Sequence, residues 1–121
     1  MPKMNIEERV ELQDVSLKLC DEFELFEPCG MGNPRPVLAV FGVSVPSRPM
    51  LFGKEENHLS FHARQNKTAR RVVAFNGAQH FNALSDLSKG GSLDVVFRPE
   101  KNTFRGETHV ELYMEAFRVS G

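Results

Sequence analysis

Leu25-Phe-Glu-Pro-Cys-Gly-Met-Gly-Asn-Pro-Arg-Pro36 divides this chain into two kinds of structure. Three prolines, two glycines and one asparagine in twelve positions cannot extend a helix or a strand. Proline lacks the backbone donor, and glycine and asparagine readily adopt positive φ. A helical pattern ends just before the stretch, at Phe26, and from Val37 onward the chain reads as strand almost without a break. The segment reads as a rigid connector, the alternative being a ligand-binding loop. A phosphate-cradling loop would follow a strand and open a helix, and here the order is reversed.

Working backward, Val15, Leu19, Phe23 and Phe26 recur at helical spacing, with Ser16 as the N-cap and Asp14 as its rival, so an acidic amphipathic helix precedes the connector. Such a helix packs either on its own domain or on a neighbour. Residues 5–12 hold few apolar positions and read as a short strand that pairs with something outside this chain. Working forward, Val37–Val45 is an apolar, β-branched run interrupted by Gly42, which predicts a bulge. A Pro-rich kink and Met50–Phe52 lead to His58–Arg64, which alternates cleanly, with Leu59, Phe61 and Ala63 on the buried side. Arg70–Phe75 is its hairpin partner after a polar turn. Ala78, Phe81, Leu84 and Leu87 mark a short helix ended by Lys89-Gly90-Gly91. Leu93–Phe97 and a long strand carrying Val110, Leu112, Met114 and Ala116 on one face complete the chain, joined by a polar hairpin tip from Arg98 to Arg105.

Three strands, a short helix and two strands make a mainly β protein with the plan of the OB-fold, a five-stranded Greek-key barrel that binds oligonucleotides or oligosaccharides on its second and third strands. A split sheet or an open α+β sandwich is the alternative. Two units are expected: residues 1–36 as arm, helix and hinge, and residues 37–121 as the barrel. A chain of 121 residues is long enough to bury a core without metal or disulfide. Its two cysteines, Cys20 and Cys29, form no CxxC pair and read as reduced thiols of a cytoplasmic protein. No apolar run reaches the length of a membrane helix. Formal net charge is −1, but residues 1–30 hold eight acids against three bases, and the remaining twelve bases face eight acids. The barrel is thus the more basic part, compatible with a polyanion on its face.

The connector motif, with Glu27, Pro28, Gly30, Gly32, Asn33, Pro34 and Pro36 matching and Cys29 departing where an aromatic is usual, resembles the junction of the RecJ family of bacterial single-strand-specific 5′→3′ exonucleases. Arg48-Pro49, Gly53-Lys54, His58-Leu59, Ala74-Phe75 and the hairpin residues Asn102, Phe104, Arg105 and Gly106 extend the resemblance over nearly the whole chain. It implies the C-terminal OB domain of such an enzyme, acting in DNA repair and recombination. The family cleaves with paired Mn²⁺ or Mg²⁺ in a separate Asp-His-His domain. This chain has no Asp-His dipeptide and scatters its four histidines, and two-metal hydrolysis needs several converging carboxylates. No catalytic residue and no cofactor are therefore expected here. The implied partners are single-stranded DNA, the catalytic domain of the same polypeptide and other repair proteins, with no membrane.

Single-strand binding needs cations for the backbone and aromatic faces for the bases. One candidate cluster is His62, Arg64, Lys67, Arg70 and Arg71 on the second-to-third-strand hairpin, which reads equally as a solvated tip. The other is the strand 4–5 hairpin with Arg98, Lys101, Phe104 and Arg105, where an aromatic at a polar tip has little structural reason. Phe75 shares a strand face with Arg71 and Val73 and reads as core, the alternative being a stacking platform beside the arginine. His58 and His62 share a face but lack a third ligand for a metal. Gly30, Gly32, Asn33 and Pro34 form the hinge that would set the angle between this domain and a catalytic core. The alternative role is an interaction module that braces the nuclease core or contacts repair proteins.

Overall fold

A computed structural model describes residues 8–24 and 37–120. The connector, with Cys29 and the hinge residues Gly30, Gly32, Asn33 and Pro34, lies outside the described residues, as do the side chains of Phe23 and Phe26. Strands β1 (Glu8–Arg9), β2 (Leu38–Ser44), β3 (Met50–Phe52), β4 (His58–Gln65), β5 (Thr68–Ala74), β6 (Ser92–Phe104) and β7 (Glu107–Val119) accompany helices α1 (Leu17–Glu24) and α2 (Phe81–Leu87).

Five strands close on themselves. β2 pairs antiparallel with β4 and β6, β4 with β5, and β6 with β7, while β5 and β7 run parallel through Arg71↔Glu111, Val72↔Leu112 and Val73↔Tyr113. With α2 between β5 and β6, this is the OB barrel. Among the described residues the expected count of five rises to seven because two short strands flank the barrel. β3, the Met50–Phe52 segment that follows the Pro-rich kink, adds to the edge of β4. β1 runs parallel to β2 through Glu8↔Leu38 and Arg9↔Ala39, so the N-terminal strand finds its partner inside the chain, not outside it.

In β4, Leu59, Phe61 and Ala63 are buried with Val40, Val72, Leu84, Leu93, Phe97 and Leu112, as the alternation predicts. Ser60 on the opposite face is also buried, paired with Met50 of β3 and Val73 of β5. The same core takes in Leu12, Val15 and Cys20, so the described part of the arm packs on its own domain. Ser16 caps α1 by accepting a hydrogen bond from the Leu19 N–H at 3.2 Å. Arm and barrel are also joined by Gln65, which accepts from the Leu12 N–H at 2.7 Å and donates to the Phe41 carbonyl at 3.0 Å.

Gly42 forms the anticipated bulge: the β2–β6 register shifts between Val40 and Val43, and its φ of +69° lies in the left-handed region. Asp94 of β6 accepts the Gly42 N–H at 2.9 Å, the Arg118 Nε at 2.8 Å and the Ser120 hydroxyl at 2.6 Å. Burial pushes this carboxyl up, but those hydrogen bonds and the Arg118 charge prevail and hold it below the usual range.

Two expectations fail at β6 and β7. The segment from Arg98 is not a loop: β6 continues to Phe104, and only Arg105 and Gly106, at φ +54° and +80°, make the turn. Polar composition hid a ribbon whose backbone groups are paired across it. A second register shift between Val96 and Phe97 flips the parity of β7. Val110 and Leu112 are buried and Met114 packs on the core, but beyond the shift Phe117 takes the inward position and Ala116 is exposed.

Candidate nucleic-acid interface

Register fixes which side chains share the outer face around β5. Across the strands, His62, Arg71, Glu111 and Glu100 form one row, and Ser60, Val73, Tyr113 and Arg98 the next. At one end of this face four rings meet. Phe75 lies edge-on to Tyr113 with centroids 5.1 Å apart, 5.4 Å from His58 and 6.4 Å from Phe52, and Phe52 lies 5.4 Å from His58.

Phe75 is 52% exposed, which overturns its reading as core. β5 ends at Ala74, and Phe75, one residue beyond it, continues the outward parity of Arg71 and Val73 into a turn. That turn is pinned. The Asn76 N–H donates to His58 Nδ1 at 2.9 Å, and Asn57 Nδ2 donates to Asn76 Oδ1 at 2.8 Å. A large apolar ring is therefore held still in water, the preorganised state that lowers the entropic cost of stacking a ligand on it.

Arg71 borders this platform, with its guanidinium carbon 5.7 Å from the Phe52 ring and Nη1 donating to Glu111 Oε2 at 2.9 Å. Asn102 Nδ2 reaches the same oxygen at 3.3 Å. Glu111 is buried, and neutralised by Arg71. Tyr113 has its hydroxyl pKa raised by burial and by the nearby Glu111 and Glu100 carboxylates, against a smaller opposing effect of Arg71, so it stays a neutral donor and stacking ring.

Beyond Arg71 a groove of about 710 Å³ opens between the β4–β5 and β6–β7 hairpins, lined by Lys18, His62, Arg70, Arg71, His109 and Glu111 among others. The residues singled out by sequence are distributed over both sides of the wall. His62, Arg64 and Arg71 lie on the outer face, Arg64 folding its Nε onto the Asn66 carbonyl at 3.1 Å. Lys67 is exposed in the β4–β5 turn. Arg70 sits on the Ala63 side, where its Nε donates to the Val15 carbonyl at 2.9 Å and fastens the arm. Lys101 also faces away from the platform and pairs with Asp21 of α1 at 2.7 Å. Phe104 is 67% exposed on the platform side of the ribbon, with the Arg105 guanidinium 5.2 Å from its ring.

Sequence reasoning missed Phe52 and Tyr113. The available signal for Tyr113 was parity, since it alternates with the buried Leu112; Phe52 carried none until β3 paired with β4. His58 is a platform ring, and no group of three or more potential metal ligands exists among the described residues. Among the described residues no helix is long and apolar enough to cross a membrane.

A closed five-stranded barrel with an exposed aromatic platform and a basic groove defines an OB-fold domain. The comparisons narrow this: residues 6–116 match the family model of the RecJ OB domain, and the chain belongs to that family. RecJ from Thermus thermophilus, in complex with Mn²⁺, superposes with a TM-score of 0.56 at 23% identity over 90% of this chain and 14% of that one. The mitochondrial single-stranded DNA binding protein Rim1 from S. cerevisiae gives 0.55 at 14% identity, over 71% and 96%. Aspartyl tRNA synthetase from Entamoeba histolytica gives 0.53 at 10% identity, over 98% and 24%. These likenesses establish the fold. No curated protein matches in sequence. The chain spans about one-seventh of the Thermus RecJ chain, as the 14% coverage states.

Proposed function

We propose that this chain is an accessory single-stranded-DNA-binding domain of a RecJ-like 5′→3′ exonuclease serving DNA repair and recombination. Hydrolysis with Mn²⁺ or Mg²⁺ belongs to a separate Asp-His-His domain, and the role here is to hold the strand. The observation that carries the reading is Phe75: half-exposed, pinned by Asn76 and backed by Tyr113, His58 and Phe52. Base stacking on such a ring is worth about 1–3 kcal/mol and tolerates any sequence. Arg71 and Arg64 supply positive charge alongside, with His62 facing Arg71 across the strands, which suits a phosphate backbone. Membership of the RecJ OB family and the likeness to a single-stranded DNA binding protein support the same ligand.

Fluorescence anisotropy with a labelled single-stranded oligonucleotide tests it. Affinity should fall with salt at a log–log slope of about −0.7 per phosphate contacted, and Arg71→Ala should make that slope shallower by roughly one contact. Absence of binding at low ionic strength would reject the reading in favour of a domain that braces the nuclease core or contacts repair proteins.

A further inference from the structure

Phe104 and the aromatic platform look out from the same side of the protein. Tyr113, Glu111 and His109 alternate outward along β7, opposite Arg98, Glu100 and Asn102 of β6, and the next outward position on β6 is Phe104. The stretch from Tyr113 to Glu107, which faces Phe104 across the ribbon, covers about 20 Å at the usual strand rise. The ribbon that carries Phe104 is braced. Thr103 and Thr108 hydroxyls meet across it at 2.8 Å, Lys101 ties its base to α1, and the turn is only Arg105–Gly106. Phe104 thus stands at a set distance from the platform.

The basic groove lies between the two aromatic stations. β5 and β7 pair from Arg71 and Glu111 onward; before those positions they belong to different hairpins and leave a gap. Lys18, His62, Arg71 and His109 line it. The Glu111 carboxylate there is already engaged by Arg71 and Asn102, and Glu107 lies 3.3 Å from His109 at the exposed rim. Arg70 also lines the gap but is committed to the Val15 carbonyl. Of the fixed charges in the lining, Lys18, Arg70 and Arg71 stand against Glu111 alone, a net positive wall that suits an anionic ligand.

The geometry points to one continuous track for a single strand: a base stacked on the platform at Phe75, the sugar-phosphate backbone over the groove beside Lys18, His62 and Arg71, and a later base stacked on Phe104. This rests on the reading of the platform as a nucleic-acid site and adds a length to it. A span of about 20 Å holds roughly four to six nucleotides, because an unstacked strand advances at least the ~3.4 Å of duplex per nucleotide, and single OB modules occupy about 4–16.

The test is a length series of fluorescein-labelled oligodeoxythymidylates, from about three to about twelve nucleotides, titrated at low salt against the 121-residue chain and its Phe75→Ala and Phe104→Ala variants. Wild-type affinity should climb to about six nucleotides and then level. Phe104→Ala should match wild type on the shortest oligomer and bind roughly 5- to 100-fold more weakly on those of about eight or more. Phe75→Ala should be weaker at every length. Phe104 is exposed, so its truncation leaves folding intact, which a thermal melt checks. A Phe104→Ala effect that is absent, or equal at all lengths, overturns the track while leaving the platform standing. Failure of wild type to bind any oligomer overturns both.

Discussion

Where β1 and β2 meet the ends of β6 and β7, the Phe41 ring has the Arg9 guanidinium at 4.4 Å and that of Arg118 at 5.6 Å, and Arg118 is tied to Asp94 at 2.8 Å. On the proposed ligand face, Phe75 lies at steep angles to Tyr113, His58 and Phe52, and half its surface stays in water. The two regions use the same residue types. In the first, cations and ring satisfy one another and a buried carboxylate closes the arrangement, so it stabilises the barrel. In the second, the rings brace one another and Phe75 keeps about half its surface in water. Whether an arginine–aromatic group is structural or binds a ligand depends on what is already covered.

That contrast breaks most clearly at Asp94. Asp94→Ala removes the acceptor for Gly42, Arg118 and Ser120 and leaves the bulge N–H without its carboxylate. Arg118 is largely exposed and resolvates, so we expect a loss of about 2–3 kcal/mol, read as a lower midpoint in chemical denaturation. Affinity for a single-stranded oligonucleotide should stay within about twofold, since Asp94 lies off the ligand face. A comparable loss of affinity would mean that the two regions are coupled. Phe75→Ala is the mirror image: stability within about 0.5 kcal/mol, as for an exposed residue, and affinity weaker by about 1–3 kcal/mol. A large drop in melting temperature instead would make Phe75 a packing residue and remove the contrast.

Arg70 and Arg71 sharpen the same distinction between sequence neighbours. Arg70 fastens the arm through Val15, so Arg70→Ala should cost about 1 kcal/mol of stability and leave affinity nearly unchanged. Arg71→Ala should weaken affinity, and it should also cost stability because the buried Glu111 carboxylate keeps only Asn102 as partner; affinity is therefore the readout that separates the two arginines. Denaturation and anisotropy on the two variants together decide it.

These two residues also show how far the sequence could be read. The barrel was legible because β4 alternates cleanly, Gly42 interrupts an apolar run and the order of strands and helix has few other solutions. Which face each cation occupies was less legible. Arg70 and Arg71 look equivalent in a basic hairpin, and parity separates them only once the partner register is known; Lys101 and Phe104 likewise sit on opposite faces of a ribbon that composition had presented as a loop. The platform was hidden for a related reason. Phe75 continues the parity of Arg71 and Val73, but it stands one residue past the end of β5, and its exposure follows from a turn held by Asn57, Asn76 and His58, which are distant in sequence from Phe52 and Tyr113. The bulge at Val96/Phe97 defeated the assignment of Ala116 in the same way, because one extra residue reverses every later side chain.

The smallest effect expected from this comparison is a pH dependence confined to the structural region. Asp94 is held below its usual range in the folded protein, its hydrogen bonds and Arg118 outweighing the opposing effect of burial, while in the unfolded chain it titrates near about 3.9. A carboxyl with a depressed folded value contributes stability that is complete above the unfolded value and is lost as pH falls through the folded one. Stability measured by denaturation should therefore fall below about pH 4, and Asp94→Asn should show a shallower fall than wild type over that window because its side chain does not titrate. Other carboxylates titrate in both proteins, so the difference between the two curves isolates Asp94. Parallel curves would mean that Arg118 and Ser120 do not favour the charged form, and the closed character of the Phe41 region would then rest on packing and its cation–ring contacts alone.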